Sequence, residues 1–148
     1  MKAAVGRIGR VFVVRLEDGD KLPVCLEQFA ADQGVATAHV ILVGGAGSGQ
    51  IVVGPRDSHA MPPDPMVLPV DGTHEIAGVG VIASDESGKP VLHMHAALGR
   101  SGQTLTGCIR EGIETWVMIE AIMYEILDAD VKRIRDETTG FIMLQPGS

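Results

Sequence analysis

Aromatic side chains are scarce: one Trp, one Tyr and three Phe, 3% of the chain. That is too few for a stacking platform on single-stranded nucleic acid. Only two cysteines are present, Cys25 and Cys108. They cannot build a disulfide framework, and reduced thiols are expected. Positive charge is also short. Twelve Lys and Arg stand against 19 Asp and Glu, for a net charge of −7. An acidic chain is repelled by phosphate backbones, which weighs against nucleic-acid binding. No stretch approaches the ~18 uninterrupted apolar residues of a membrane span. Met1 to Arg10 lacks the apolar core and small-residue cleavage site of a secretory signal. These absences lead us to expect a cytoplasmic protein with no membrane partner. What remains is 148 residues, 45% of them hydrophobic. That is enough for one domain over residues 1–148, burying about two-thirds of its unfolded surface.

The pattern of residues favours strands. Arg7 to Leu16 is β-branched and partly alternating, so it reads as a strand broken by Asp18-Gly19-Asp20. One clear helix follows. Asp20 can cap it, Pro23 suits its first turn, Leu22, Leu26 and Phe29 form an apolar stripe, and Gly34 stops it. Cys25 lies beside that stripe and reads as a small buried hydrophobe. Further strands are expected at 38–43, 50–53, 74–84, 91–98, 104–113 and 141–144. The proline-rich stretch from Pro55 to Pro69 reads as a long surface loop. Thr115 to Leu127 fits helix or strand periodicity. With no good cap, it is read as a strand. The sum is an α+β domain: a mainly antiparallel sheet of about seven strands with one helix.

The residues that carry chemistry lie at His93-Met94-His95. Residues i and i+2 of a strand face the same way, so two imidazoles project side by side. A hairpin centred on Ser101-Gly102 sets Cys108 opposite His95, with Cβ atoms roughly 4.5–5.5 Å apart. His93, His95 and Cys108 thus form a His₂Cys set with an open fourth position, suited to zinc. The plainer alternative is a polar sheet face with a buried cysteine. A register slip of one residue would turn Cys108 away. The glycine-rich run from Gly44 to Gly49 follows a strand as nucleotide loops do. No Lys follows it and Gln50 continues as strand, so it reads as a hairpin turn.

The run from Gly88 to Gly112, GKPVLHMHAALGRSGQTLTGCIREG, resembles the signature of the PPC (plants and prokaryotes conserved) domain family. Val14-Arg15-Leu16 with the acidic-Gly segment after it, Glu120, and the closing segment Asp136 to Phe141 are similar to other family features. The resemblance implies an antiparallel sheet assembled as a homotrimer. It also implies zinc held by two strand histidines and a third residue, which fall here on His93, His95 and Cys108. Thr106-Gly107-Cys108 stands where the family carries Gly-Gly-His. The ligand arrangement is also similar to acetolactate decarboxylase-like metalloproteins.

Three functions follow as expectations. In the first, a zinc site binds or transforms a small-molecule ligand, with lyase- or hydrolase-like chemistry. Glu120 is then the catalytic acid/base, its pKa raised by burial, and Arg15 binds an anionic group. Glu120 equally suits an ion pair at a subunit interface, and Arg15 reads better as a structural salt bridge or an interface arginine. In the second, the chain is a DNA-binding regulator. The basic cluster Lys132, Arg133 and Arg135 is interrupted by acids and reads better as a solvated charged turn. In the third, a homotrimer senses a metabolite without turnover.

Overall fold

The computed structural model describes residues 1–110 and 112–147. Among them the chain forms ten strands and one helix. In order these are β1 (Arg7–Glu17), β2 (Lys21–Leu22), α1 (Val24–Asp32), β3 (Thr37–Pro55), β4 (Pro65–Val70), β5 (His74–Ser84), β6 (Pro90–Arg100), β7 (Gln103–Cys108), β8 (Ile113–Leu127), β9 (Val131–Arg135) and β10 (Ile142–Pro146). The expected architecture holds, an antiparallel sheet with one helix. The main sheet runs β1-β8-β3-β5-β6-β7, with β2 added to β8 and β4 to β3. Strands β9 and β10 form a separate two-stranded ribbon.

One face of the sheet is the core. Alternation sends Val40 and Leu42 of β3, Ile82 of β5, Met94 and Leu98 of β6, and Ile119 and Met123 of β8 inward, each almost wholly buried. Leu26 and Ala30 of α1 close over part of this face. The helix starts without a side-chain cap. Pro23 occupies the cap position, and the Asp20 carboxylate instead accepts from the Glu17 N–H at 2.9 Å. The turn before the helix claims Asp20, and with it the cap expected from the sequence.

The structure corrects three further expectations. Residues 38–53 form no hairpin: β3 is one strand of 19 residues through the glycine run. Gly44 and Gly49 have φ of +147° and +146°, and strand β8 passes against both. A Cβ on Gly49 would collide with the Gly112 carbonyl. The glycines therefore admit close backbone contact where the β3–β8 register shifts, and they shape no phosphate loop. The segment 55–69 is not all loop, since Pro65–Val70 pairs with β3 as an edge strand, the place where prolines are tolerated. The basic cluster is no turn. It lies in β9, where alternation turns Arg133 inward to 4% exposure.

Two local features carry stability predictions. Val117 has φ +63°, a left-handed conformation that a β-branched residue resists. Its N–H donates to the Asp18 carboxylate at 2.8 Å, which helps hold the kink. Val117→Gly is expected to stabilise the fold by about 1 kcal/mol in denaturant unfolding.

The second feature is Glu125, a buried carboxylate at 5% exposure. It accepts from Arg10 Nη2 at 2.6 Å, Nε at 2.8 Å and the Arg10 backbone N–H at 3.0 Å. These hydrogen bonds and the guanidinium charge pull its pKa from 4.5 to about 2. A depressed carboxylate pKa adds stability that is complete above the unfolded value and lost as pH falls through the folded one. The pair should therefore weaken between about pH 4.5 and 2. Glu125→Gln is expected to be less stable at pH 7 and to lose less stability across that window. Circular dichroism melts at stepped pH would check both.

Candidate metal centre

The site begins with a turn. Ser101 and Gly102 have φ of +52° and +77°, the paired left-handed residues of a two-residue hairpin turn whose twist matches its strands. Arg100 and Gln103 face each other across it, and counting back along the ladder pairs His95 with Cys108. The register expected from the sequence is the one observed. Strand β7 ends at Cys108, shorter than the expected 104–113, because there it also meets β3 at Val52 and then leaves the sheet. The Ile109 N–H donates to the Met94 carbonyl at 2.9 Å. Cys108 is thus fixed by β6 on one side and β3 on the other.

On β6, Leu92, Met94 and Ala96 point into the core while His93 and His95 stand on the open face. Their rings meet edge-on with centroids 5.1 Å apart. The ligating atoms of His93, His95 and Cys108 all lie within 4.8 Å of one another. A tetrahedral zinc with bonds of 2.0–2.3 Å needs its ligands about 3.3–3.7 Å apart. Small side-chain rotations close that gap, so the three residues fit a divalent transition metal and leave a fourth position toward solvent.

The protonation states suit ligation. Burial, then the charges of Arg133, His95 and Arg110, push the His93 imidazole below its ordinary range, which favours the neutral ligand form. Burial pushes the Cys108 thiol up, while Arg110 and Arg133 pull it down. Metal would have to displace the thiol proton.

Arg110 and Arg133 also act on the site, though neither belongs to the His-x-His motif. The buried Arg133 donates from Nε to the Val91 carbonyl at 3.0 Å and from Nη2 to the Val81 carbonyl at 2.8 Å. Val81 is the cross-strand partner of His93, so Arg133 ties β5 to β6 next to the site. The signal was available in the alternation of Val131 and Arg133 along β9. For Arg110 the signal was its position two residues beyond Cys108.

Glu120 and Arg15 are neighbours in register, β8 beside β1. Both are exposed, and Arg15 pairs with Glu17 at 2.6 Å. The burial expected of Glu120 is missing in the single chain. Strands β3 and β5 separate Glu120 from β6, a span of roughly 14 Å at strand spacing. Within one chain these two residues do not join the metal centre. Cys25 packs half-buried against the core, as expected, and burial lifts its thiol pKa to about 11.

The profile of the Plants and Prokaryotes Conserved (PCC) domain, the family also written PPC, matches residues 3–127. The chain belongs to this family. No curated protein sequence matches it. Among solved structures, the PCC chain resembles a plant- and prokaryote-conserved protein of Pyrococcus horikoshii, with 22% identity, 98% of this chain and 97% of that one covered, and a TM-score of 0.85. It also resembles a metal-containing protein of Archaeoglobus fulgidus, with 23% identity, coverage of 98% and 99%, and a TM-score of 0.84. A candidate DNA-binding protein of Ralstonia eutropha matches at 21% identity, coverage of 90% and 89%, and a TM-score of 0.75. At these identities the likeness speaks for the fold. The family match ends at residue 127, so the β9–β10 ribbon that carries Arg133 lies beyond it.

Proposed function

We propose that this PCC-domain protein holds a divalent metal, zinc by its ligand chemistry, on His93, His95 and Cys108, and uses it to bind or transform a small molecule. The observation that carries the reading is the in-register pairing of His95 with Cys108, which gathers two nitrogens and a sulfur within 4.8 Å. The Archaeoglobus relative described as metal-containing supports it. A zinc ion at such a three-ligand site polarises a carbonyl or activates water at its open position. Around it the protein supplies two imidazoles on one strand, a buried thiol and a strand register locked by a two-residue turn.

Assembly as a homotrimer belongs to the same reading. The sheet face that bears the histidines is open and apolar, with Val13 of β1 82% exposed, Val79 of β5 54% and Ile41 of β3 42%. Subunit packing is the simplest cover for it. Glu120 and Arg15 lie on that face, so they would serve as acid/base and anion-binding groups only at a centre completed by a second copy. The likeness to acetolactate decarboxylase-like proteins supplies no step here.

DNA binding is disfavoured, although relatives are described in those terms. The net charge is −7, and the middle arginine of the basic cluster is buried. Among the described residues no helix is long and apolar enough to cross a membrane. Elemental analysis of native protein tests the metal reading, with about one zinc per chain expected. The same sample offered duplex DNA at low salt should give no salt-sensitive shift. Thermal shifts against small molecules, followed by product analysis, separate an enzyme from a sensor.

A further inference from the structure

Arg110 has no part in the ligand set, yet it acts on that set from close range. It follows β7 two residues after Cys108, is exposed, and lies over the Phe141 ring with its guanidinium carbon 5.8 Å from the centroid. Among the described residues no carboxylate forms an ion pair with it. Its positive charge favours neutral His93 and the thiolate of Cys108, and part of its pull on Cys108 comes through a hydrogen bond from the guanidinium to the sulfur. Arg133 adds a second positive charge from below, but Glu27 lies near enough to offset it, and its hydrogen bonds go to backbone carbonyls. Among the described residues, Arg110 is therefore the cation beside the ligand set with most of its five donors uncommitted.

The charges around the centre decide what it would accept. Two neutral imidazoles, one thiolate and a divalent ion leave a net positive centre, and Arg110 raises it further. This positive spot sits in a protein of net charge −7. A neutral ligand gains only a single weaker hydrogen bond from the guanidinium, and a cation is repelled. An oxyanion gains twice, from the open metal position and from the planar fork of donors.

The geometry points to a small oxyanion as the ligand of this centre, with Arg110 as its specificity-determining residue and Phe141 as the platform that orients the guanidinium two residues beyond Cys108. The inference rests on the proposed metal centre. Stacking on Phe141 orients Arg110 without consuming its N–H groups, which an ion pair would do. The ribbon beyond the family match thus contributes to ligand choice.

Cobalt(II) in place of zinc gives a visible spectrum that responds when a ligand enters the coordination sphere. Wild type, Arg110→Gln, Phe141→Leu and the surface control Arg56→Gln are each loaded with cobalt and titrated with acetate, inorganic phosphate and neutral acetamide. We expect one of the two anions to bind wild type and the control alike. Arg110→Gln should bind that anion about tenfold more weakly, and Phe141→Leu severalfold more weakly, both with unchanged cobalt content. Which anion binds more tightly tells a carboxylate from a phosphate ligand. Acetamide binding as well as the anions would overturn the inference. So would unchanged anion affinity in either cobalt-loaded variant, and that result would leave the metal reading standing. Failure of wild type to take up cobalt would overturn both.

Discussion

Cys108→Ala is expected to purify with most of its metal gone, while wild type carries about one zinc per chain. The thiol supplies the one anionic ligand of the set. Its loss leaves two neutral imidazoles on a single strand, which is an incomplete site for zinc. The fold should survive, because Cys108 sits at the end of β7 and its backbone pairing with His95 and Val52 does not depend on the sulfur. Burial holds the metal-free thiol above its ordinary pKa. Zinc uptake by wild type at pH 7 should therefore release about one proton per ion, a release that Cys108→Ala cannot show. Elemental analysis and uptake in weakly buffered indicator measure the two effects. Retention of full zinc by the variant would remove Cys108 from the site.

Ile122→Asp is expected to turn an oligomer into a monomer. Ile122 lies in a cross-strand row with Val13, Ile41, Val79 and His95, running over the open face from β1 to the metal centre. In the isolated chain Ile122 is 39% exposed, so an aspartate there would cost the single subunit little. In a packed interface the same carboxylate would be buried without a partner, at a cost of several kcal/mol. Light scattering should give three times the chain mass for wild type and the 15.6 kDa of one chain for the variant. A monomeric wild type would refute the assembly.

Much of the centre was readable because its determinants are local. Side-chain alternation put His93 and His95 on one face, and a two-residue turn carried that face to Cys108. The Thr115–Leu127 stretch resolved to a strand as expected. The glycine run was misread because its glycines answer to β8, a strand some 70 residues later in the sequence. Arg133 was misread for the same reason. Its neighbours in sequence are charged, but its partners are the Val81 and Val91 carbonyls. Glu120 sits in an apolar run, which suggested burial. A run on a sheet with an open face also has an outward side, and Glu120 lies there.

The β9–β10 ribbon and the residue leading into β10 stand outside the stretch by which the family is recognised, yet they bring Arg133 to the strand beside His93 and Phe141 to Arg110. Members of the family with identical chelating residues could therefore differ in metal affinity or ligand preference through drift in their last twenty or so positions alone. Grafting that tail between homologues would be a way to retune the proposed centre without touching His93, His95 or Cys108.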